Sequence, residues 1–147
     1  LIQPVYNKPM QKFANEQQMI NFGENLAKTL EAPTVIELVG DVGVGKTTIT
    51  KGIAKGLGID EEITSPTFTL SKRYPFQKAG KEYFLVHYDF YRLNDPGIMS
   101  EDLLENIQNP NTITIIEWGD SISSLLPKDH LRFFITINDD GSRSINL

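Results

Sequence analysis

Thr34-Val35-Ile36-Glu37-Leu38-Val39-Gly40-Asp41-Val42-Gly43-Val44-Gly45-Lys46-Thr47-Thr48 is the stretch on which the fold turns. Thr34 to Val39 is a short apolar run of the kind that a strand buried on both faces presents. Gly40 to Thr47 then matches the pattern G-x-x-x-x-G-K-[ST] at every fixed position. Phosphates require several donors converging on a small volume, and backbone N–H groups converge only where side chains do not intrude. Glycine removes the Cβ and permits the dihedrals such a nest needs. A helix starting at Lys46 aims its free N–H groups and positive dipole end at the same anion. Lys46 adds a mobile charge for the outer phosphates, and the Thr47 hydroxyl can ligate Mg²⁺. Candidate nucleotide contacts are therefore Gly40, Asp41, Val42, Gly43, Val44, Gly45, Lys46, Thr47 and Thr48. Chance would produce the pattern in roughly one in 200 chains of this length, and the flanking strand and helix lower that further.

Upstream, Asn15 and Gln18 form a capping-box pattern, with Met19, Phe22, Leu26 and Leu30 at helical spacing. A helix is predicted from about Glu16 to Leu30, punctuated by Pro33. Downstream, Lys46 to Leu57 reads as a helix stopped by Gly58. Phe68 to Tyr74 and Glu82 to Tyr88 read as strands around a polar turn containing Gly80. A short helix over Met99–Asn106, a strand over Thr112–Glu117 and a helical turn over Ser121–Leu126 follow. Strands at Leu131–Asn138 and Arg143–Leu147, around the Asp139-Asp140-Gly141 turn, complete the chain. No internal repeat or linker is visible. The expectation is one α/β domain spanning residues 1–147, of the P-loop NTPase type, with a mixed central sheet flanked by helices.

Composition narrows the function classes. The absence of cysteine excludes disulfides and thiolate metal sites, and His87 and His130 are too far apart in sequence to suggest zinc. No apolar run approaches the roughly 20 residues that span a bilayer, and the amino terminus lacks a secretory pattern; a cytoplasmic protein with no membrane partner is expected. Nucleic-acid affinity rests largely on basic side chains releasing counterions from phosphates. A chain with net charge −5 and four arginines is poorly equipped to hold RNA or DNA without a partner.

Hydrolysis also needs carboxylates for the metal and for the attacking water. In open α/β sheets such groups gather at the carboxyl ends of strands, the edge where the glycine loop lies. Asp89 closes the run Tyr83–Tyr88, and Glu117 closes Ile113–Ile116. Thr64-Ser65-Pro66-Thr67-Phe68 begins 17 residues after Thr47 and reads either as a turn or as a phosphate-sensing switch. His87 shares the strand face of Asp89, which leaves two readings open: an orienting partner for that carboxylate, or a hydrogen-bonded core histidine. Trp118 reads first as packing. Lys72, Arg73, Lys78 and Lys81 read as a solvated face.

The combination resembles the TsaE family, the ATPases of bacterial tRNA threonylcarbamoyladenosine synthesis. The resemblance rests on residues 40–48, Ser65-Pro66-Thr67-Phe68-Thr69-Leu70, His87-Tyr88-Asp89-Phe90-Tyr91-Arg92-Leu93 and Ile116-Glu117-Trp118. Leu126-Pro127 and Arg143-Ser144-Ile145-Asn146-Leu147 extend it over nearly the whole chain. It implies ATP hydrolysis to ADP with Mg²⁺, and work alongside TsaB and TsaD, with tRNA held only through that complex. It further implies that Lys46 and the loop amides bind phosphates and that Thr47 and Glu117 hold Mg²⁺. Asp89 would assist hydrolysis and Thr67 would act as the switch. Trp118 would support the site edge, and Arg143 would reach the nucleotide. The chain departs from the family in carrying Gly119-Asp120 after Glu117-Trp118, and in lacking a glycine between Ile98 and Glu105.

Other functions fit less well. A GTPase needs Asn-Lys-x-Asp after the loop and an Asp-x-x-Gly switch, and neither occurs. A small-molecule kinase commonly clamps the transferring phosphoryl group with lid arginines, whereas Arg73, Arg92, Arg132 and Arg143 are scattered; it stands as the alternative. Asp89 and Glu117 weigh against a module that uses ATP only to set its shape.

Overall fold

The computed structural model describes residues 10–66, 71–91 and 97–146. Seven strands form a mixed sheet in the order β1-β7-β6-β2-β5-β4-β3. The strands are β1 (Gln11–Phe13), β2 (Thr34–Val39), β3 (Ser71–Lys78), β4 (Lys81–Asp89), β5 (Thr112–Glu117), β6 (Leu131–Ile137) and β7 (Arg143–Asn146). The helices are α1 (Glu16–Ala27), α2 (Lys46–Gly56) and α3 (Gly97–Gln108), with a 3₁₀ helix at Gly119–Leu125. β6, β2, β5 and β4 run parallel, while β3, β7 and β1 add antiparallel edges. The expected mixed α/β sheet is present. β1 was not foreseen, because three residues are too few to display an alternation.

α1 and α2 pack together on one face of the sheet, over Ile36, Leu38, Leu85, Ile113, Ile115 and Phe133. On the other face Val35, Val86, Tyr88 and Ile116 meet Leu103 of α3 and Ile122 of the 3₁₀ helix. Covering on both faces buries every residue of β5 and residues Val35 to Leu38 of β2, polar ones included.

The α1 start follows the predicted chemistry. The Asn15 side chain accepts from the Gln18 N–H at 3.0 Å, while the Gln18 side chain accepts from the Ala14 N–H at 2.8 Å. α1 ends at Ala27, three residues short of the predicted boundary at Leu30. The α1–α2 contact depends on absent side chains: a Cβ on Gly23 would meet the Ile49 carbonyl oxygen at 2.6 Å, and one on Gly52 would run into the Ile20 carbonyl.

α3 is longer than predicted and is tied to the sheet by polar bonds. The Tyr88 hydroxyl donates to Asp102 at 2.5 Å and accepts from Asn106 at 2.6 Å. Arg73 donates to Asn106 at 3.1 Å while its guanidinium lies 3.8 Å from the Phe84 ring. Burial, with the Asp102 carboxylate beside it, pushes the Tyr88 phenol well above its usual range. Arg73 is thus anchored while remaining on the exposed face predicted for it. Pro75 sits in β3, an edge strand, where a missing N–H is tolerated.

Candidate functional site

β2 delivers the chain into the glycine loop at the centre of the sheet, between β5 and β6. Gly43 (φ 83°) and Gly45 (φ 111°) take the left-handed conformation that side chains resist. Gly45 caps α2, and α1 supports it from behind: a Cβ there would meet the Met19 methyl at 2.6 Å. Of the predicted loop residues, Val42, Gly43, Gly45, Lys46, Thr47 and Thr48 line a cavity of about 400 Å³. Gly40, Asp41 and Val44 form the loop without lining it. Val44 is buried, Asp41 is exposed, and the Gly40 carbonyl accepts a 2.6 Å hydrogen bond from Lys46 Nζ.

The two predicted carboxylates reach the same cavity, because β4 and β5 pair in a register that sets Asp89 beside Glu117. Asp89 is held on both oxygens: Oδ1 accepts from the Tyr91 N–H at 2.9 Å and Oδ2 from the Ser65 hydroxyl at 3.0 Å. Of the two readings open for His87, the buried, hydrogen-bonded histidine is the one found, and its partner is not Asp89. His87 Nε2 lies 3.0 Å from Glu117 Oε1, and both side chains are buried. A face shared along one strand was visible in the sequence, whereas the diagonal neighbour on β5 depends on register. Lys46 is buried with its ammonium 3.7 Å from the centroid of the Trp118 ring. Burial lowers its pKa from 10.5, against the opposing pull of Glu117, Asp89 and Asp41. Trp118 does more than pack. It takes a left-handed conformation (φ 58°), turns its ring into the cavity wall and meets Tyr91 with ring centroids 4.8 Å apart.

The family model described as "Threonylcarbamoyl adenosine biosynthesis protein TsaE" matches residues 13–145, from the end of β1 to the penultimate residue of β7. The chain belongs to the TsaE family. It is 37% identical over 137 residues to the tRNA threonylcarbamoyladenosine biosynthesis protein TsaE of Nostoc sp. strain PCC 7120, covering 91% of this chain and 82% of that one. Its identity to the protein of the same name from Haemophilus influenzae is 34% over 142 residues, with 93% and 87% covered. The crystal structure of Bacillus subtilis YdiB superposes with a TM-score of 0.74 at 29% identity, covering 92% of this chain and 81% of that one.

Two further site residues that the TsaE resemblance implies are Thr67 and Arg143. Thr67 lies outside the described residues. Arg143 does not line the cavity; its guanidinium donates to the carbonyls of Val44 (3.1 Å), Gly43 (3.4 Å) and Gly141 (2.7 Å), bracing the loop from behind. Ser65 and Tyr91 line the cavity without having been singled out as candidates. Ser65 was readable only as part of its Ser-Pro-Thr segment. Glu37 was overlooked altogether: it is 3% exposed in β2 and is met by His130 (3.1 Å) and Arg132 (3.0 Å). A Cβ on Gly119 would approach its Oε2 at 2.8 Å. Gly119, one of the two departures from the family pattern, thus lets the chain after Trp118 lie against this buried ion cluster.

Proposed function

We propose that this chain is a Mg²⁺-dependent ATPase that supports turnover of a TsaB–TsaD complex in threonylcarbamoyladenosine modification of tRNA, in the cytoplasm. One observation carries the ATPase reading: Lys46, Thr47, Asp89 and Glu117, supplied by the start of α2 and the ends of β4 and β5, all line one cavity beside a glycine loop. The pathway comes from the family and from the names its members carry, while TsaB and TsaD are the partners that the resemblance implies. An acidic chain that leaves RNA to its partners agrees with them.

The residues fit the absent groups. Gly43 and Gly45, at positive φ, leave the loop amides free of side chains, as a polyphosphate requires. Thr47 and Glu117 offer oxygen donors, the chemistry a hard divalent cation takes, and they would hold Mg²⁺. Bound there, Mg²⁺ supplies charge neutralisation for the phosphate oxygens. The loop amides and Lys46 bind and orient the phosphate chain. Asp89, fixed by Ser65 and Tyr91, orients the attacking water. Trp118 shields Lys46 from solvent.

Among the described residues no arginine lines the cavity. Arg73, Arg132 and Arg143 are bound to Asn106, Glu37 and the loop carbonyls respectively. Hydrolysis by the isolated chain is therefore slow, and a charge supplied in trans accelerates it by roughly 10³ or more. The test is reconstituted tRNA modification with TsaB and TsaD, with and without the chain and its Lys46→Ala variant. Multiple turnovers are expected with wild type alone. Equal turnover in its absence, or full support by Lys46→Ala, would overturn the proposal.

A further inference from the structure

We infer that His87 is a positioning residue for Glu117, holding its carboxylate in the orientation that receives the divalent cation; this rests on the function proposed above. His87 is fully buried, near the carboxyl end of β4, on the face shared by the core residue Leu85 and by Asp89. The β4–β5 register pairs His87 with Ile115 and Asp89 with Glu117, which makes His87 and Glu117 diagonal neighbours. The contact is 3.0 Å from Nε2 to Oε1.

The other ring nitrogen decides between a structural and a functional reading. Nδ1 is buried and has no hydrogen-bond partner among the described residues. A core histidine present for stability would pair both nitrogens, and an apolar side chain would fill the same position without an orphaned polar atom. Among the described residues the ring makes one bond, and that bond goes to Glu117. Its geometry also places a proton on Nε2. With the proton on Nδ1 alone, a lone pair would face the carboxylate, whereas Nε2–H donates to Oε1. Carboxylates that bind metals are oriented by such outer partners, whose removal typically weakens metal affinity by about 10–100-fold. Asp89 has its own pair of donors, Ser65 and Tyr91, so His87 serves Glu117 and not both acids.

The experiment compares ADP affinity by calorimetry in Mg²⁺ and in chelator, for wild type, His87→Leu and His87→Gln. Leu removes the donor, while Gln places an N–H near the former Nε2. The gain in ADP affinity that Mg²⁺ confers on wild type should fall about 10-fold in His87→Leu and largely return in His87→Gln. ADP affinity in chelator should stay within two-fold throughout, which a general loss of structure would not allow. In a Glu117→Gln background, His87→Leu should add nothing. Nitrogen-15 NMR of the wild-type imidazole, which needs no variant, should show a proton on Nε2. A Mg²⁺ gain in wild type that persists in His87→Leu, or a ring without a proton on Nε2, overturns this inference alone. A wild-type chain that binds neither ADP nor Mg·ADP overturns the proposed function with it.

Discussion

Lys46 Nζ donates to the Gly40 carbonyl at 2.6 Å and rests over the Trp118 indole, so its charge is held by a dipole and a π-face in place of a counterion. Burial keeps its pKa below 10.5 in the folded chain. The unfolded chain then binds more protons across the window between the lowered value and 10.5, and stability rises with pH through that window. A phosphate needs the charged form, so ADP affinity should fall through the same window. Paired titrations of thermal stability and ADP affinity should show these opposite slopes, and Lys46→Met should abolish both differences. Parallel slopes, or slopes unaffected by the substitution, would refute the assignment. Ser65 allows a second test. Its hydroxyl bond to Asp89 joins a neutral donor to a charged acceptor, worth about 1.5 kcal/mol or more. Ser65→Ala should lower kcat for ATP by about 10-fold while leaving ADP affinity within two-fold. A matching loss of ADP affinity would instead mean that Ser65 supports the loop.

The α1–α2 pair bears on the site because Met19 of α1 supports Gly45. Gly52 lies inside α2, where helix propensity alone would favour alanine by roughly 0.5–1 kcal/mol. A Cβ there would collide with the Ile20 backbone, which cannot swing aside as a side chain would. Gly52→Ala should therefore lower stability, by about 1–3 kcal/mol in chemical denaturation; a stabilised variant would show that the helices separate freely. The sequence allowed α2, β2, β5 and the ends of β4 and β5 to be read because each is a long apolar pattern or a fixed-spacing motif. Gly23 and Gly52 carry no such local signal, since the neighbour that requires each is another helix. The pairing of His87 with Glu117 and of Glu37 with His130 and Arg132 likewise depends on strand register and on residues far away in the chain, 30 positions in the first case and 93 for His130. Local periodicity carries no such information. Asp89 and Glu117 were legible because a carboxylate closing an apolar strand is a local pattern.

The cavity is drawn from the loop after β2, the start of α2, the segment containing Ser65 and Pro66, and the ends of β4 and β5, so it exists only once the whole sheet has assembled. A ligand for it binds the folded chain and not the unfolded one, and must shift the folding equilibrium by mass action. At 100 times its dissociation constant, Mg·ADP stabilises the fold by about 2.7 kcal/mol, which for a chain of 147 residues is a rise in Tm of about 6–10 °C. Lys46→Ala separates the site from the scaffold. Removing a buried, partly desolvated ammonium leaves the core intact, so the variant should melt near the wild-type temperature without ligand. It should then fail to rise when Mg·ADP is added. A rise of equal size in Lys46→Ala, or one produced by Mg²⁺ without nucleotide, would place the binding elsewhere on the molecule and detach the glycine loop from the proposed chemistry.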